Sequence, residues 1–278
     1  MRLCTIILFL FFFITQSLFA SESFSLQGKY DCVITPSQTV ELGSAVPGLL
    51  SEVLVDRSST VKAGQLVAKL DSRLDQVSLD IASLRASSDT ELSFRMSTFE
   101  IDQRIQERMF ALADSDVASN QEKDRASRDA KLAAWRVLQA RESMKIDSLE
   151  KARAEVSLDH RRIRSPIEGV VLERMHNPGE YIDLQPILRI VSLDTLHVEV
   201  ILPMRLFGTI TSGMRAFVFS ELDDTERLSA VVDVVDPMGD ASSGTFGARL
   251  VLQNPDGNIP AGVKCQVQML IGDMAVSD

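Results

Sequence analysis

The longest regular pattern of apolar and polar residues runs from Ser72 to Leu158. It contains no Pro or Gly, so no residue in it removes a helical hydrogen bond or favours a sharp turn. In its second half, apolar residues recur at helical spacings of four and three, at Ala126, Ala130, Ala133, Val137, Ala140 and Met144. Such spacing is typical of a helix that packs along a partner helix. The first half has a similar pattern, irregular around Ser88, at Leu74, Val77, Ile81, Leu84, Phe99, Ile105, Met109 and Leu112.

A polar segment between the two halves, residues 113–120, predicts a turn. Ser119 and Glu122 have the S-x-x-E spacing of a capping box, which starts a new helix. We therefore predict an antiparallel α-helical coiled-coil hairpin over residues 72–158, with its tip near residues 112–119. At about 1.5 Å per residue, an arm of roughly 40 residues would extend about 60 Å. The tip is expected to meet a partner far from the base of the hairpin.

Short alternating runs of apolar and polar residues in 39–71 predict a set of small strands. The same pattern returns 121 residues later, beginning with Gly48 and Gly169. The further matched pairs are Leu50 with Val171, Val61 with Ile182, Leu66 with Ile187, Val67 with Leu188, and Leu70 with Val191. Each copy is too small to bury its own apolar face. The two copies are therefore expected to pack as one β domain with the hairpin inserted between them.

One turn differs between the two copies. Ser58 stands where the second copy has Gly179. If this turn requires a positive φ, Ser carries a backbone strain that Gly avoids.

The N-terminus has the layout of a secretory signal peptide. Arg2 precedes the apolar run Leu3 to Ile14, and a short polar segment leads to cleavage after Ala20. An uncleaved membrane anchor is the alternative, but the run is shorter than the roughly 20 apolar residues that cross a bilayer. Cys4 precedes the run, so it is not placed to become a lipid-modified N-terminus.

The expected fold class is mixed α and β, elongated and multidomain. Residues 194–272 alternate in several evenly spaced strands, which predicts a small β-barrel. The predicted segments are the signal peptide 1–20, an N-terminal strand segment 21–38, the two β halves 39–71 and 159–193, the hairpin 72–158, the barrel 194–272 and a tail 273–278.

Composition excludes several classes of function. The formal net charge of −10 disfavours nucleic acid as a partner. No catalytic motif, phosphate loop or zinc signature is present, and His160, His176 and His197 are scattered, so neither an enzyme, a cofactor nor a metal site is predicted. In an oxidising compartment Cys32 and Cys265 could form a disulfide, and two separate buried thiols are the alternative.

Several segments together resemble a known family. The first β half ends in V-x-x-G-Q-x-x-x-x-L-D, and the second contains Ile163-Arg-Ser-Pro-Ile-Glu-Gly-Val170 and Asn177-Pro-Gly-Glu-Tyr-Ile182. Over about residues 30–272, this arrangement resembles the HlyD-type periplasmic adaptors, or membrane fusion proteins, of tripartite efflux pumps. The resemblance implies that 39–71 and 159–193 form a lipoyl-like domain. It also implies that the N-terminal strand returns beside the end of the chain, close enough for a Cys32–Cys265 bond.

The resemblance also implies partners. Arg108, Leu112 and Ser119 match the R-L-S pattern by which such adaptors dock on a TolC-type outer-membrane channel. The alternative is structural: a solvated charge, the last packing residue of a helix and an N-cap. An inner-membrane transporter of the resistance-nodulation-division (RND) type is favoured, and an ABC exporter is the alternative. Homo-oligomers, trimers or hexamers, are implied.

Two further alternatives concern the whole chain. A swinging-arm carrier would place its modified Lys where the two β halves join, but the helices occupy that junction and Lys62 lies in another turn. A secreted structural coiled-coil protein without a transport role remains as a rival. Family members often continue into a membrane-proximal domain, and because this chain ends at Asp278 only a remnant of it is expected.

Overall fold

A computed structural model describes residues 24–115 and 117–272. Within them, three helices and a short 3-10 helix at Met204–Leu206 accompany twelve strands. The helices are α1 (Arg73–Ser87), α2 (Thr90–Ala113) and α3 (Asn120–Asp159). The strands are β1 (Phe24–Gly43), β2 (Gly48–Val53), β3 (Thr60–Val61), β4 (Leu66–Leu70), β5 (Arg162–Arg164), β6 (Gly169–Arg174), β7 (Tyr181–Ile182), β8 (Pro186–Pro203), β9 (Arg215–Ser220), β10 (Asp223–Asp240), β11 (Thr245–Gln253) and β12 (Lys264–Gly272).

The chain divides into two compact units. The terminal unit combines the described residues up to Gln38 with those from Ser192 onward, and the central unit is Thr39–Val191. In the terminal unit, antiparallel strands follow the order β1-β12-β9-β10-β11-β8, and β1 also pairs with β8. Alternate residues of β8 supply the centre of its core, where Leu196, Val198, Val200 and Leu202 are at most 1% exposed.

Two copies of one strand pattern build the β part of the central unit. β2 pairs with β7 through Gly48 and Ile182, and β3 pairs with β6 through Val61 and Gly169. The first strand of each copy thus pairs with the short strand of the other copy. This exchange agrees with the internal repeat in the sequence. The shared core includes Leu50, Val61, Val67, Leu70, Val171, Ile182, Ile187 and Leu188.

The turn that differs between the copies has the same geometry in both. Ser58 has φ 67° and Gly179 has φ 94°. The N–H of Ser58 donates to the carbonyl of Val171, and that of Gly179 donates to the carbonyl of Leu50, each at 2.8 Å. The turn therefore does require a positive φ, and Ser58 adopts it at a cost of about 1 kcal/mol that Gly avoids.

The buried face of α3 follows the predicted spacing. Ala126, Ala130, Ala133, Val137 and Ala140 are all buried, and Met144 is half-buried. The face continues at the same alternating spacing of four and three to the end of the helix, through Asp147, Lys151, Ala154 and Leu158. One side of the helix therefore faces its partner over nearly its whole length.

The predicted face of α1 is wrong. Leu74, Val77, Ile81 and Leu84 are between 50% and 84% exposed. The buried and half-buried residues of α1 are instead Asp75, Leu79, Ala82, Ser83 and Ala86, and this side of the helix faces α3. Asp75 forms an ion pair with Arg161, and this contact turns the helix so that the apolar stripe points outward. This polar contact, and not the apolar pattern, therefore determines which side of α1 faces α3.

The first arm is also not one helix. α1 ends at Ser87 and α2 begins at Thr90, with Ser88 extended at φ −85° and ψ 118°. In α2, Phe99, Met109 and Leu112 are half-buried as predicted, whereas Ile105 is 40% exposed. The irregularity seen in the sequence near Ser88 is therefore a physical break.

Candidate functional site

The turn between α2 and α3 is closed by one backbone carbonyl. The carbonyl of Leu112 accepts N–H groups from Ser115, Val117 and Ala118 at 2.9 to 3.3 Å. These bonds use the last turn of α2 to hold the connecting segment close to the helix end. The backbone of Leu112 thus shapes the turn, while its side chain is half-buried.

A capping box starts α3. The Ser119 Oγ accepts the N–H of Glu122 at 3.3 Å and donates to the Glu122 Oε2 at 2.8 Å. The same Oε2 accepts the backbone N–H of Ser119 at 2.9 Å. The Ser119 backbone N–H, and then its hydroxyl, hold the pKa of Glu122 below its ordinary value, because both favour the carboxylate.

The three residues of the predicted docking pattern lie around this turn. Arg108 and Leu112 are one helical turn apart on α2, and Ser119 precedes the first residue of α3. Arg108 and Ser119 are exposed. Because the Ser119 hydroxyl already donates one bond and accepts another, it could offer a partner only its remaining lone pair.

An exposed valine and a cation–π contact near the turn were not singled out from the sequence. Val117 is 73% exposed, an apolar group in a polar segment. The Lys123 ammonium of α3 lies 4.4 Å from the ring centre of Phe110 on α2, a cation–π contact between the two arms. An isolated valine among Ser, Asp and Ala was the only sequence signal for the first, and none existed for the second.

The base of the helices is held by Arg161. Its Nε lies 2.9 Å from the Asp75 Oδ2 of α1, and its Nη1 donates to the Pro47 carbonyl at 2.9 Å. The Ser157 hydroxyl of α3 donates to the other Asp75 oxygen. Any side chain at Gly48 would meet Arg161, since a Cβ there would lie 2.7 Å from Nη1. Both helical arms and the β part of the central unit meet in this one network, which the sequence pattern did not indicate.

Cys32 and Cys265 face each other in the terminal unit. They are directly opposed in the antiparallel pairing of β1 with β12. The structure joins them by a disulfide with a Cα–Cα distance of 4.9 Å. Both side chains are buried. The bond attaches β1 to β12.

Within residues 24–115 and 117–272, no three His, Cys, Asp or Glu side chains are grouped as metal ligands would be. No helix in this part of the chain is both long enough and apolar enough to cross a membrane. The predicted signal peptide and C-terminal tail lie outside the described residues.

Comparison with known proteins gives one family match. Residues 38–191, more than half of the chain, match the family described as "RND MFP, barrel-sandwich hybrid domain". The multidrug resistance protein MdtA of Pectobacterium carotovorum is 30% identical over 206 residues, which are 73% of this chain and 46% of MdtA. The nodulation protein NolF of Rhizobium meliloti is 25% identical over 246 residues, 88% of this chain and 62% of NolF. The chain thus spans about half the length of the curated relatives it matches.

The fold also resembles a solved structure. MacA from Actinobacillus actinomycetemcomitans superposes with a TM-score of 0.78 at 20% sequence identity. The alignment covers 88% of this chain and 78% of MacA. At this identity the likeness shows a shared fold of helices and β domains.

Proposed function

Since the chain belongs to the membrane fusion proteins of RND pumps, the periplasmic adaptor family of efflux systems, we propose that it links an inner-membrane RND transporter to a TolC-type outer-membrane channel. Several copies assemble as a sleeve between the two, held at the inner membrane through the transporter. Members of this family are generally non-catalytic, and the work of this chain is mechanical coupling.

The observation that carries this proposal is the helical insertion in the central unit. Its α3 is 40 residues long, which corresponds to about 60 Å. α1 contacts the C-terminal part of α3 through Arg85 and Glu150, and α2 contacts its N-terminal part through Gln106 and Ser127. Such arms carry the turn between α2 and α3 far from the β part, as a bridge to a distant channel requires.

The finer architecture is part of the same proposal. The helices act as an antiparallel coiled-coil hairpin, and the β halves 39–71 and 159–193 act as a lipoyl-like domain. The strands of the terminal unit act as a small β-barrel. The alternation of buried residues along β8 and the additional pairing of β1 with β8 support the barrel. The reciprocal strand pairs of the central unit support the lipoyl-like domain.

Docking is proposed for Arg108, Leu112 and Ser119. An exposed charge, an apolar group and a helix start around one turn can offer a partner an ion pair, a small apolar contact and a fixed backbone. Replacing Leu112 by Asp would place a charge in the desolvated contact. Efflux in cells is expected to fall to the level of a strain without the protein, measured as drug or solute resistance.

A matched control is Leu132→Asp, the same change at a residue of α3 that is 53% exposed and lies away from the turn. It is expected to retain efflux at a normal protein level. Cross-linking in the same cells tests the sleeve, and both variants are expected to give oligomers. Unchanged resistance in Leu112→Asp at a normal protein level would contradict docking, and recovery of monomers alone would contradict the sleeve.

A further inference from the structure

The two helices of the first arm face α3 out of phase with each other. In α1 the facing residues are Asp75, Leu79, Ala82 and Ala86. A helix that continued this spacing would next present residues 89 or 90 and then 93. The face of α2 begins one residue earlier, at Leu92, and continues through Arg95, Phe99, Asp102, Gln106 and Met109. One residue corresponds to about 100° of rotation around a helix.

The partner helix has no such shift. The facing residues of α3 keep alternating steps of three and four from Ala126 to Leu158 without interruption. An unbroken first arm could match this face only over α1 or only over α2. Past the point where Ala86 packs, a continuous helix would turn Leu92 and Phe99 away from α3. The break between α1 and α2 lies between the two phases.

The extended residue at the break makes up the length along the helix axis that the missing residue would have covered. Seven helical residues advance about 10.5 Å, while five helical residues and one extended residue advance about 10.8 Å. Six residues separate Ala86 from Leu92, and Ser88 among them is extended. Cross-arm contacts agree: from Arg85 to Gln106 is 21 residues, whereas the same stretch of α3, from Ser127 to Glu150, is 23 residues. The first arm covers this length with fewer residues.

Capping does not account for the position of the break. The N-cap of α2, Asp89, makes no side-chain hydrogen bond to the helix start. Ser119, by contrast, caps α3 with a complete capping box. The alternative explanation is helix propensity alone, since Ser and Asp compete for backbone hydrogen bonds and disfavour helix interiors.

We propose that the break at Ser88 and Asp89 is a register correction that rotates α2 back into phase with α3. It therefore fixes the side of α2 on which Arg108 and Leu112 stand. The rotational setting is a property of the arms themselves, and its importance for docking rests on the proposed adaptor function.

Two variants distinguish a register correction from low helix propensity as the cause of the break. In the first, Ser88 and Asp89 are changed to Ala and one further Ala is inserted between them. In the second, Ser88→Ala and Asp89→Ala are made without the insertion. The insertion supplies the missing residue, so the first variant is expected to form one continuous helix in phase with α3. The second is expected to keep the break, because closing it would unpack α2.

Two measurements report the result. The amides of residues 90–92 lack partners within α2, so they exchange fast with solvent while the break persists. Hydrogen exchange should show loss of this fast exchange in the first variant only. The second measurement uses the double variant Gln106→Cys with Ser127→Cys, because the two native side chains lie 3.3 Å apart. A short thiol cross-linker joins the two cysteines only while this side of α2 faces α3. The cross-link should be retained in both variants.

Three outcomes decide the proposal. Loss of fast exchange in the second variant with the cross-link intact would overturn it, because propensity alone would then explain the break. Fast exchange that persists in the first variant would also overturn it. A second variant that loses both fast exchange and the cross-link would support it, since a continuous helix would have lost its phase. Neither readout involves efflux, so failure of the adaptor function in Leu112→Asp cells would leave the register result unaffected.

Discussion

The two helical arms solve the same packing problem in different ways. The second arm is the single helix α3, with six buried residues, four of them Ala. The first arm is two helices, of which α1 has one buried residue, Ala82, and α2 has none. The second arm is capped by Ser119, whereas neither helix of the first arm has a side-chain cap. The contrast shows that one regular helix can set the register to which an irregular partner adapts.

Side-chain size explains the division of roles. A row of Ala leaves a shallow groove along α3, into which larger half-buried side chains of the first arm, such as Leu92, Phe99 and Met109, can fit. The groove tolerates different sizes opposite it, and even polar groups such as Asp102 and Gln106. The first arm can therefore contain a phase shift and a break and still pack against α3 along its length.

The largest effect is expected where the groove is most buried. Ala133 is 1% exposed, and Ala133→Asp would bury a carboxylate between the arms. We expect a loss of about 3 kcal/mol in the free energy of unfolding, because the charge loses water without gaining a partner. Urea denaturation of the purified protein measures it.

Ala134→Asp is the matched control, since it makes the same change at the adjacent, exposed position. Its effect is expected to stay within about 0.5 kcal/mol. Equal losses in the two variants would show that the face of α3 does not bury its Ala residues in solution, and the contrast between the arms would then fail.

A smaller effect is expected at the base, where the arms are tied together. Arg161→Ala removes the ion pair to Asp75 and the bond to the Pro47 carbonyl. The loss is expected to be about 2 kcal/mol, because the Asp75 carboxylate is mostly buried and keeps only its Ser157 hydroxyl partner.

The control for this change is Arg73→Ala. Arg73 also pairs with a carboxylate, that of Asp71, but its side chain is 88% exposed. Solvent screens such a pair, and removing it is expected to leave the free energy of unfolding almost unchanged. If both variants unfolded at the same denaturant concentration, the Arg161 network would have no special role in joining the arms.

The contrast between the arms also explains what the sequence could and could not predict. The face of α3 and the Ser119 capping box were predictable because a single strong period and a local motif determine them. The face of α1 was not, since Leu74, Val77, Ile81 and Leu84 form the stronger apolar stripe and only the distant Arg161 selects Asp75 instead. The phase shift at Ser88 needed knowledge of which residues face α3.

In the β parts, the repeat predicted which residues are buried. The match of Leu50 to Val171 and of Val61 to Ile182 required no gap, and all four side chains are fully buried. The reciprocal pairing of β2 with β7 and β3 with β6 is a tertiary arrangement, which the repeat indicated only as two copies packed together. Near the α2–α3 turn, the Phe110–Lys123 contact depends on the register between the arms, and so had no signal in either segment alone.

The smallest effect is expected at the helix starts. Ser119→Ala removes the hydroxyl that caps α3, and we expect a loss of about 1 kcal/mol in the free energy of unfolding. Asp89→Ala, at the start of α2, is expected to cost less, because Asp89 makes no side-chain cap bond. Ser119→Asn should behave almost as the native protein, since Asn is an equally good N-cap. Equal losses for Ser119→Ala and Asp89→Ala would contradict the difference in capping between the arms.

The same cap gives this difference a pH dependence. The pKa of Glu122 is lowered in the folded protein by the N–H and hydroxyl of Ser119, so the unfolded chain binds the proton more tightly. The contribution of the Glu122 carboxylate to the free energy of unfolding is therefore complete above the ordinary Glu pKa of about 4.3. It is lost as the pH falls through the lowered pKa. The difference in melting temperature between the native protein and Ser119→Ala should become smaller as the pH falls from 7 to 3. The difference between the native protein and Asp89→Ala should not become smaller in this way. A Ser119→Ala gap that stayed constant over this range would show that the hydroxyl does not stabilise the Glu122 carboxylate, because Ser119→Ala keeps the backbone N–H bond to that carboxylate.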